Sequence, residues 1–213
     1  MKQLLYKEFK LAINPLYYLV ALLSALILIP NWPYFIALMY FFFIAVPNIF
    51  ATGKASGDIS FSVMMPVRKR DVVGSRILSI IIIELLQLVA AGVFALINSV
   101  MYPGGSNLLD PNFAFFGFAF IMYAVFNVIF FPMFYKTAYK VGIPVILAMV
   151  VAVVFAAVVE TVVILVPAVQ VVLEAPQYIG VQLGVLAAGV VIFIIANYVA
   201  YKASAKRFER LDL

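Results

Sequence analysis

Residues 77–135 read ILSIIIIELLQLVAAGVFALINSVMYPGGSNLLDPNFAFFGFAFIMYAVFNVIFFPMFY, two apolar runs around a turn at Pro103-Gly104-Gly105-Ser106-Asn107, with no lysine or arginine between them. About 20 apolar residues cross a hydrocarbon core of ~30 Å, so the stretch holds two crossings. Working outward, the same pattern recurs at 11–53 and 141–201, which also lack basic residues. All fourteen Lys and Arg fall into four clusters: Lys2, Lys7 and Lys10; Lys54, Arg68, Lys69, Arg70 and Arg76; Lys136 and Lys140; Lys202, Lys206, Arg207 and Arg210. Basic residues gather on the cytoplasmic side of membrane proteins, so each gap reads as a hairpin through the bilayer and both termini as cytoplasmic.

The expected fold is therefore all-α and polytopic, a single transmembrane domain over 1–213. It would have an interfacial helix at 1–14, six transmembrane helices at 16–30, 34–52, 76–100, 113–134, 143–167 and 179–201, a cytoplasmic loop at 53–75 and a cytoplasmic tail at 202–213. In residues 1–14, Leu5, Phe9 and Ile13 share one helical face and Gln3, Lys7 and Lys10 the other, as in a helix lying in the interface plane beside membrane lipids. A mere extension of the first span is the plainer alternative. Pro15 marks a break. A cleavable signal peptide fits poorly, because no Ala-x-Ala-like site follows the first apolar run and a further span comes at once.

Apolar residues make up 67% of the chain and charged residues 11%, well below the roughly one quarter charged in soluble domains. The net charge of +5 marks topology beside an anionic leaflet rather than nucleic-acid binding. Cysteine and histidine are absent, which removes disulfides, the usual zinc sites and any Ser-His or Cys-His nucleophile. No outer turn is long enough for an enzymatic domain, so the chain is expected to be no enzyme.

Glu84 and Glu160 are the ionisable residues deep in the spans, with Gln87 one turn from Glu84 on the same face. A charge at mid-span costs ~2.5–3.5 kcal/mol on insertion scales, so each should face protein or water. Two readings stay open: a conduit lining that attracts cationic parts of a substrate, or structural bonds to Asn48, Asn127 or Asn197 across helices, the second favoured for Glu160. Small residues recur every four positions at Ala148, Ala152 and Ala156 and at Gly180, Gly184 and Ala188, a spacing that suits packing within the bundle or a dimer contact. The aromatics Phe41-Phe42-Phe43 and Phe113 through Phe120 read first as lipid-facing and packing surface, then as a greasy lining.

The loop before the third span carries the functional signal. Asp58-Ile59-Ser60-Phe61-Ser62-Val63-Met64-Met65 can form about two helical turns with an apolar surface, until Pro66 stops them. A basic collar follows, Val67-Arg68-Lys69-Arg70-Asp71-Val72-Val73-Gly74-Ser75-Arg76. Positive-inside anchoring explains the collar but not the apolar turns ahead of it.

Taken with the amino-terminal helix and six spans, Met65, Pro66, Val67, Arg68, Lys69, Asp71, Val72 and Arg76 resemble the corresponding run of ABC-2 type permeases, where a leucine is commoner than Met65 and Arg70 is an addition. That resemblance implies a permease subunit of an ATP-driven exporter in a bacterial cytoplasmic membrane, paired with itself or a related permease and with a separate ATP-binding cassette ATPase. It also implies a coupling helix, with Asp58, Ile59, Phe61, Val63, Met64, Met65, Pro66, Arg68, Lys69 and Arg70 docking the ATPase. No cofactor is expected on this chain; ATP and magnesium belong to the partner, since Gly53-Lys54-Ala55 lacks the upstream glycine and the Ser/Thr of a P-loop. Family members with similarly short outer loops include exporters of amphipathic peptides, such as phenol-soluble modulin exporters, and bacteriocin-immunity transporters. The alternatives are a proton-coupled secondary transporter or small channel using Glu84 and Glu160, and a purely structural assembly factor.

Overall fold

The computed structural model describes residues 2–57, 61–62, 64, 67–102, 108–137 and 140–210. No β-strand occurs among them. The amino-terminal helix α1 (Lys2–Lys7) runs into a wide π turn at Glu8–Ala12. Asn14 then breaks the chain and caps the next element, its side chain accepting from the Leu16 N–H at 3.0 Å with Pro15 at the first helical position. That element, Pro15–Leu28, is a 3₁₀ helix of 14 residues. At ~2.0 Å per residue it reaches about 28 Å, close to a hydrocarbon core, where an α-helix of equal length would fall short. It bends by 71° from the helix before it.

The second span is broken in its middle: α2 (Tyr34–Tyr40), a π segment (Phe41–Ala45) and α3 (Val46–Ala55). Pro47 has no N–H to continue the ladder, and the wide turn just before it absorbs the mismatch. Long helices follow: α4 (Lys69–Met101), α5 (Phe113–Phe134) and α6 (Gly142–Leu165). A short α7 (Pro167–Glu174) then leads to α8 (Ile179–Glu209). Among the described residues, five helical stretches are long and apolar enough to cross a membrane, and six if the bent amino-terminal pair counts as one span. The 33 residues of α4 extend about 50 Å, so its basic start projects beyond the apolar layer.

Asn112 starts α5 by accepting from the N–H groups of Ala114 and Phe115 at 2.9 and 3.1 Å. Its aromatics pack against the second span: Phe42 stacks on Phe126 at 4.0 Å, and Phe50 meets Phe130 and Phe134 edge-on at 4.8 and 4.7 Å. Phe41 and Phe42 are buried, whereas Phe43 and Phe113 are exposed. Helices α5 and α8 approach so closely that a Cβ on Gly117 would lie 2.6 Å from the Val185 carbonyl oxygen, and one on Gly189 would collide with the Gly117 carbonyl. Only glycine permits that crossing. Ala148, Ala152 and Ala156 are buried within the bundle. Gly180 and Gly184, by contrast, have nothing within 4 Å of a built Cβ.

Candidate functional site

Three constellations carry the chemistry, one at each end of the bundle and one in its middle. At the basic end Arg76, buried at the start of α4, bonds through Nε to Glu8 Oε2 at 2.5 Å. Its guanidinium lies over the Phe50 ring at 5.6 Å, and Gly53 leaves it room, since a Cβ there would sit 3.3 Å from Arg76. Lys7 Nζ donates to the buried Ser62 Oγ at 2.5 Å. The amino-terminal helix thus ties together α3, α4 and the connecting segment.

Within that segment Phe61 and Ser62 are helical, and the Phe61 N–H bonds to the Gly57 carbonyl at 2.9 Å. Ser62 turns inward, while Phe61 is 60% and Met64 85% exposed. Asp58, Ile59, Val63, Met65 and Pro66, expected in the docking set, lie outside the described residues. Arg68 and Arg70 are exposed. Arg70 forms a two-point ion pair with Glu209, its second contact at 3.2 Å, which joins the start of α4 to the end of α8. Arg207 donates to the Pro132 carbonyl at 2.6 Å and satisfies an orphan acceptor in the last turn of α5.

Sequence reading missed the Glu8–Arg76 pair. It placed Leu5, Phe9 and Ile13 on one apolar face of an interfacial helix; Ile13 is buried, whereas Leu5 and Phe9 are half-buried and Leu4 and Glu8 are buried instead. The face is turned because a carboxyl reaches inward for a guanidinium. A single acid among three lysines was the available signal.

In the middle, Glu84 and Gln87 are fully buried on α4. Asn127 of α5 donates from Nδ2 to Glu84 Oε2 at 2.9 Å and to Asn197 Oδ1 of α8 at 3.1 Å. Gln87 Nε2 donates to the carbonyls of Ala37 and Leu38 at 3.1 and 3.3 Å. The Phe41 N–H turns to Leu38, three residues back, so the break in the second span leaves the Ala37 carbonyl in need of that donor. Gln87 therefore supports irregular backbone, a role its position one turn from Glu84 did not disclose. Asn48 takes no part; its amide bonds to the Ile44 carbonyl at 2.7 Å on its own helix.

Glu160 lies elsewhere, at the opposite, acidic end. Its Oε2 accepts the Leu109 N–H at 3.3 Å, as Glu174 Oε1 accepts that of Asp110 at 3.4 Å and the Leu173 carbonyl accepts Asn112 Nδ2 at 2.8 Å. These bonds strap the α4–α5 connection onto α6 and α7. Beside them lies a half-open cavity of about 210 Å³ whose walls include Asn98, Ser99, Tyr102, Asp110, Asn112 and Glu174. Burial and then the facing Asp110 carboxylate push the Glu174 carboxyl above the ordinary range, against the opposing pull of bonds from the Asp110 N–H and Gln170. Among the described residues no group of three or more Asp and Glu is arranged to hold a metal ion.

A bundle of apolar helices of membrane-crossing length, with charged contacts at its ends and one polar centre between, defines a multi-pass membrane protein. A family model described as "ABC-2 family transporter protein" matches residues 3–209, and the chain belongs to that family, the membrane component of an ABC transporter. Membership implies association with an ABC ATPase. Neither a curated protein nor a solved structure matches the chain.

Proposed function

We propose that this chain is the permease subunit of an ATP-driven exporter, with its basic end in the cytoplasm, and that residues 58–70 dock a separate ATPase subunit. The observation that carries this reading is the exposure of Phe61 and Met64 on a segment whose Ser62 is held inward by Lys7. Apolar side chains displayed at a charged, water-facing end need a protein partner. Arg68 and Arg70 rim that surface. ATP and magnesium are bound by the partner, whose closure pushes the segment; the thrust passes through Lys7, Glu8 and Arg76 into α1 and α4. The substrate is amphipathic or hydrophobic, a peptide or lipid-like molecule, in keeping with a bundle whose interior polar groups are few.

The permease works as a pair with itself or a relative. Of its two small-residue stripes the alanine stripe is consumed by packing within the chain, which leaves Gly180, Gly184 and Ala188 on α8 as the available face. The rival reading, a proton-coupled carrier in which Glu84 and Glu160 titrate together, gains no support from their separate hydrogen-bond partners.

Co-purification tests the docking surface. With the neighbouring ATPase co-expressed, Phe61→Asp and Met64→Asp should each abolish its recovery with the permease while membrane insertion is unchanged. Retained ATPase in both variants would sink the docking assignment.

A further inference from the structure

Each amide in the buried centre has its orientation dictated by a fixed neighbour. Asn197 Nδ2 donates to the Phe193 carbonyl of its own helix at 2.9 Å, which turns its oxygen toward Asn127. Asn127 Nδ2 donates to that oxygen and to Glu84 Oε2, so both amide hydrogens are used and Asn127 Oδ1 is left as an acceptor. Flipping either amide would set oxygen against oxygen. Two neighbouring acceptors then remain buried without a donor, Asn127 Oδ1 and Glu84 Oε1.

A carboxylic acid and a primary amide pair through two hydrogen bonds in a ring, amide N–H to acid oxygen and acid O–H to amide oxygen. The first bond is present at 2.9 Å, and the two atoms that make the second are the two left over. What the site lacks is one hydrogen. No cation is positioned to replace it: residues 11–53, 77–135 and 141–201 contain no Lys or Arg, and the titratable group facing Glu84 from α5 is the Tyr123 hydroxyl. The second span contributes backbone carbonyls through Gln87, and α8 contributes an amide.

We propose that Glu84 is a proton-binding site: it holds a proton on Oε1 and donates it to Asn127 Oδ1. The resulting neutral acid–amide ring joins α4 to α5 and, through Asn197, to α8. This assignment is independent of the exporter reading. It separates the structural role of Glu84 from a conduit role, because a neutral ring offers no charge to a cationic substrate.

Glutamine places an N–H where the protonated acid places its O–H, so Glu84→Gln should keep the ring. The test uses the full chain in lipid nanodiscs at neutral pH, comparing infrared spectra of wild type and Glu84→Gln. The difference should show loss of a protonated-carboxyl C=O band, with the thermal unfolding midpoint of the variant unchanged. In Asn127→Leu the same band should move to higher frequency, because its amide partner is gone. Loss of a carboxylate band instead, a markedly lower midpoint in Glu84→Gln, or an unmoved band in Asn127→Leu would each overturn the proposal.

Discussion

Two buried carboxyl groups, Glu8 at the basic end and Glu84 in the middle of the bundle, are satisfied by opposite means. Glu8 meets the Arg76 guanidinium, whereas Glu84 meets an amide. The difference follows depth. Near the interface an arginine can reach a carboxylate, stack on Phe50 and keep both charges paired. In mid-span no basic residue is available, and amides from neighbouring helices take over. The end of the molecule is therefore fastened by charge and its centre by neutral hydrogen bonds.

The sharpest way to break this contrast is to remove the guanidinium. Arg76→Leu leaves Glu8 the looser Lys7 contact at 4.0 Å, and loss of one partner of a buried pair costs up to about 3–5 kcal/mol. A large fall in thermal unfolding midpoint is expected, with most of it recovered in the double variant Glu8→Leu/Arg76→Leu. A single Arg76→Leu as stable as wild type would show that the pair does not fasten this end. Next in size is the α5–α8 crossing. Gly189→Ala drives a methyl into the Gly117 backbone and should destabilise by about 1–3 kcal/mol, measured by the same melt, whereas Gly184→Ala should be nearly neutral for the isolated chain.

The acidic end offers the smallest effect and a pH dependence. The Glu174 carboxyl is raised in the folded chain, so the folded state binds its proton more tightly than the unfolded one. Stability from this group is full below the ordinary glutamate range and is lost as pH rises through the raised value. A modest gain in unfolding midpoint on acidification, flattened in Glu174→Gln, is the expected result. An identical pH profile in that variant would remove Glu174 from the strap.

The all-α, multi-pass fold and the exposure of apolar side chains in the loop before α4 were legible because they depend on local pattern. Lysine and arginine spacing separates the apolar hairpins, and Phe61 and Met64 declare themselves as apolar residues in a charged loop. The Glu8–Arg76 pair was not legible, since it joins residues far apart in the chain and neither carries a spacing motif. Of the two small-residue stripes, the alanine stripe packs within the bundle as expected, whereas the Gly180, Gly184 and Ala188 stripe did not point to the close helix crossing. The glycines that bring backbones into contact, Gly117 and Gly189, sit singly on separate helices, and the pattern-forming Gly180 and Gly184 touch nothing within the chain. A structural role was favoured for Glu160 from the sequence, but its partner was not legible: the fold pairs it with the Leu109 N–H rather than with an asparagine across helices.

The π segment at Phe41–Ala45 holds one more residue in its turn than an α-helix would. Drawing that residue into regular winding would swivel α3 by about 100° against α2. Such a swivel would carry Phe50 and Gly53 away from Arg76 and hand the Ala37 carbonyl back to its own helix, releasing Gln87. On the proposed docking, the second span would act as a shaft with a slip joint, turning a push on the connecting segment into rotation of α3.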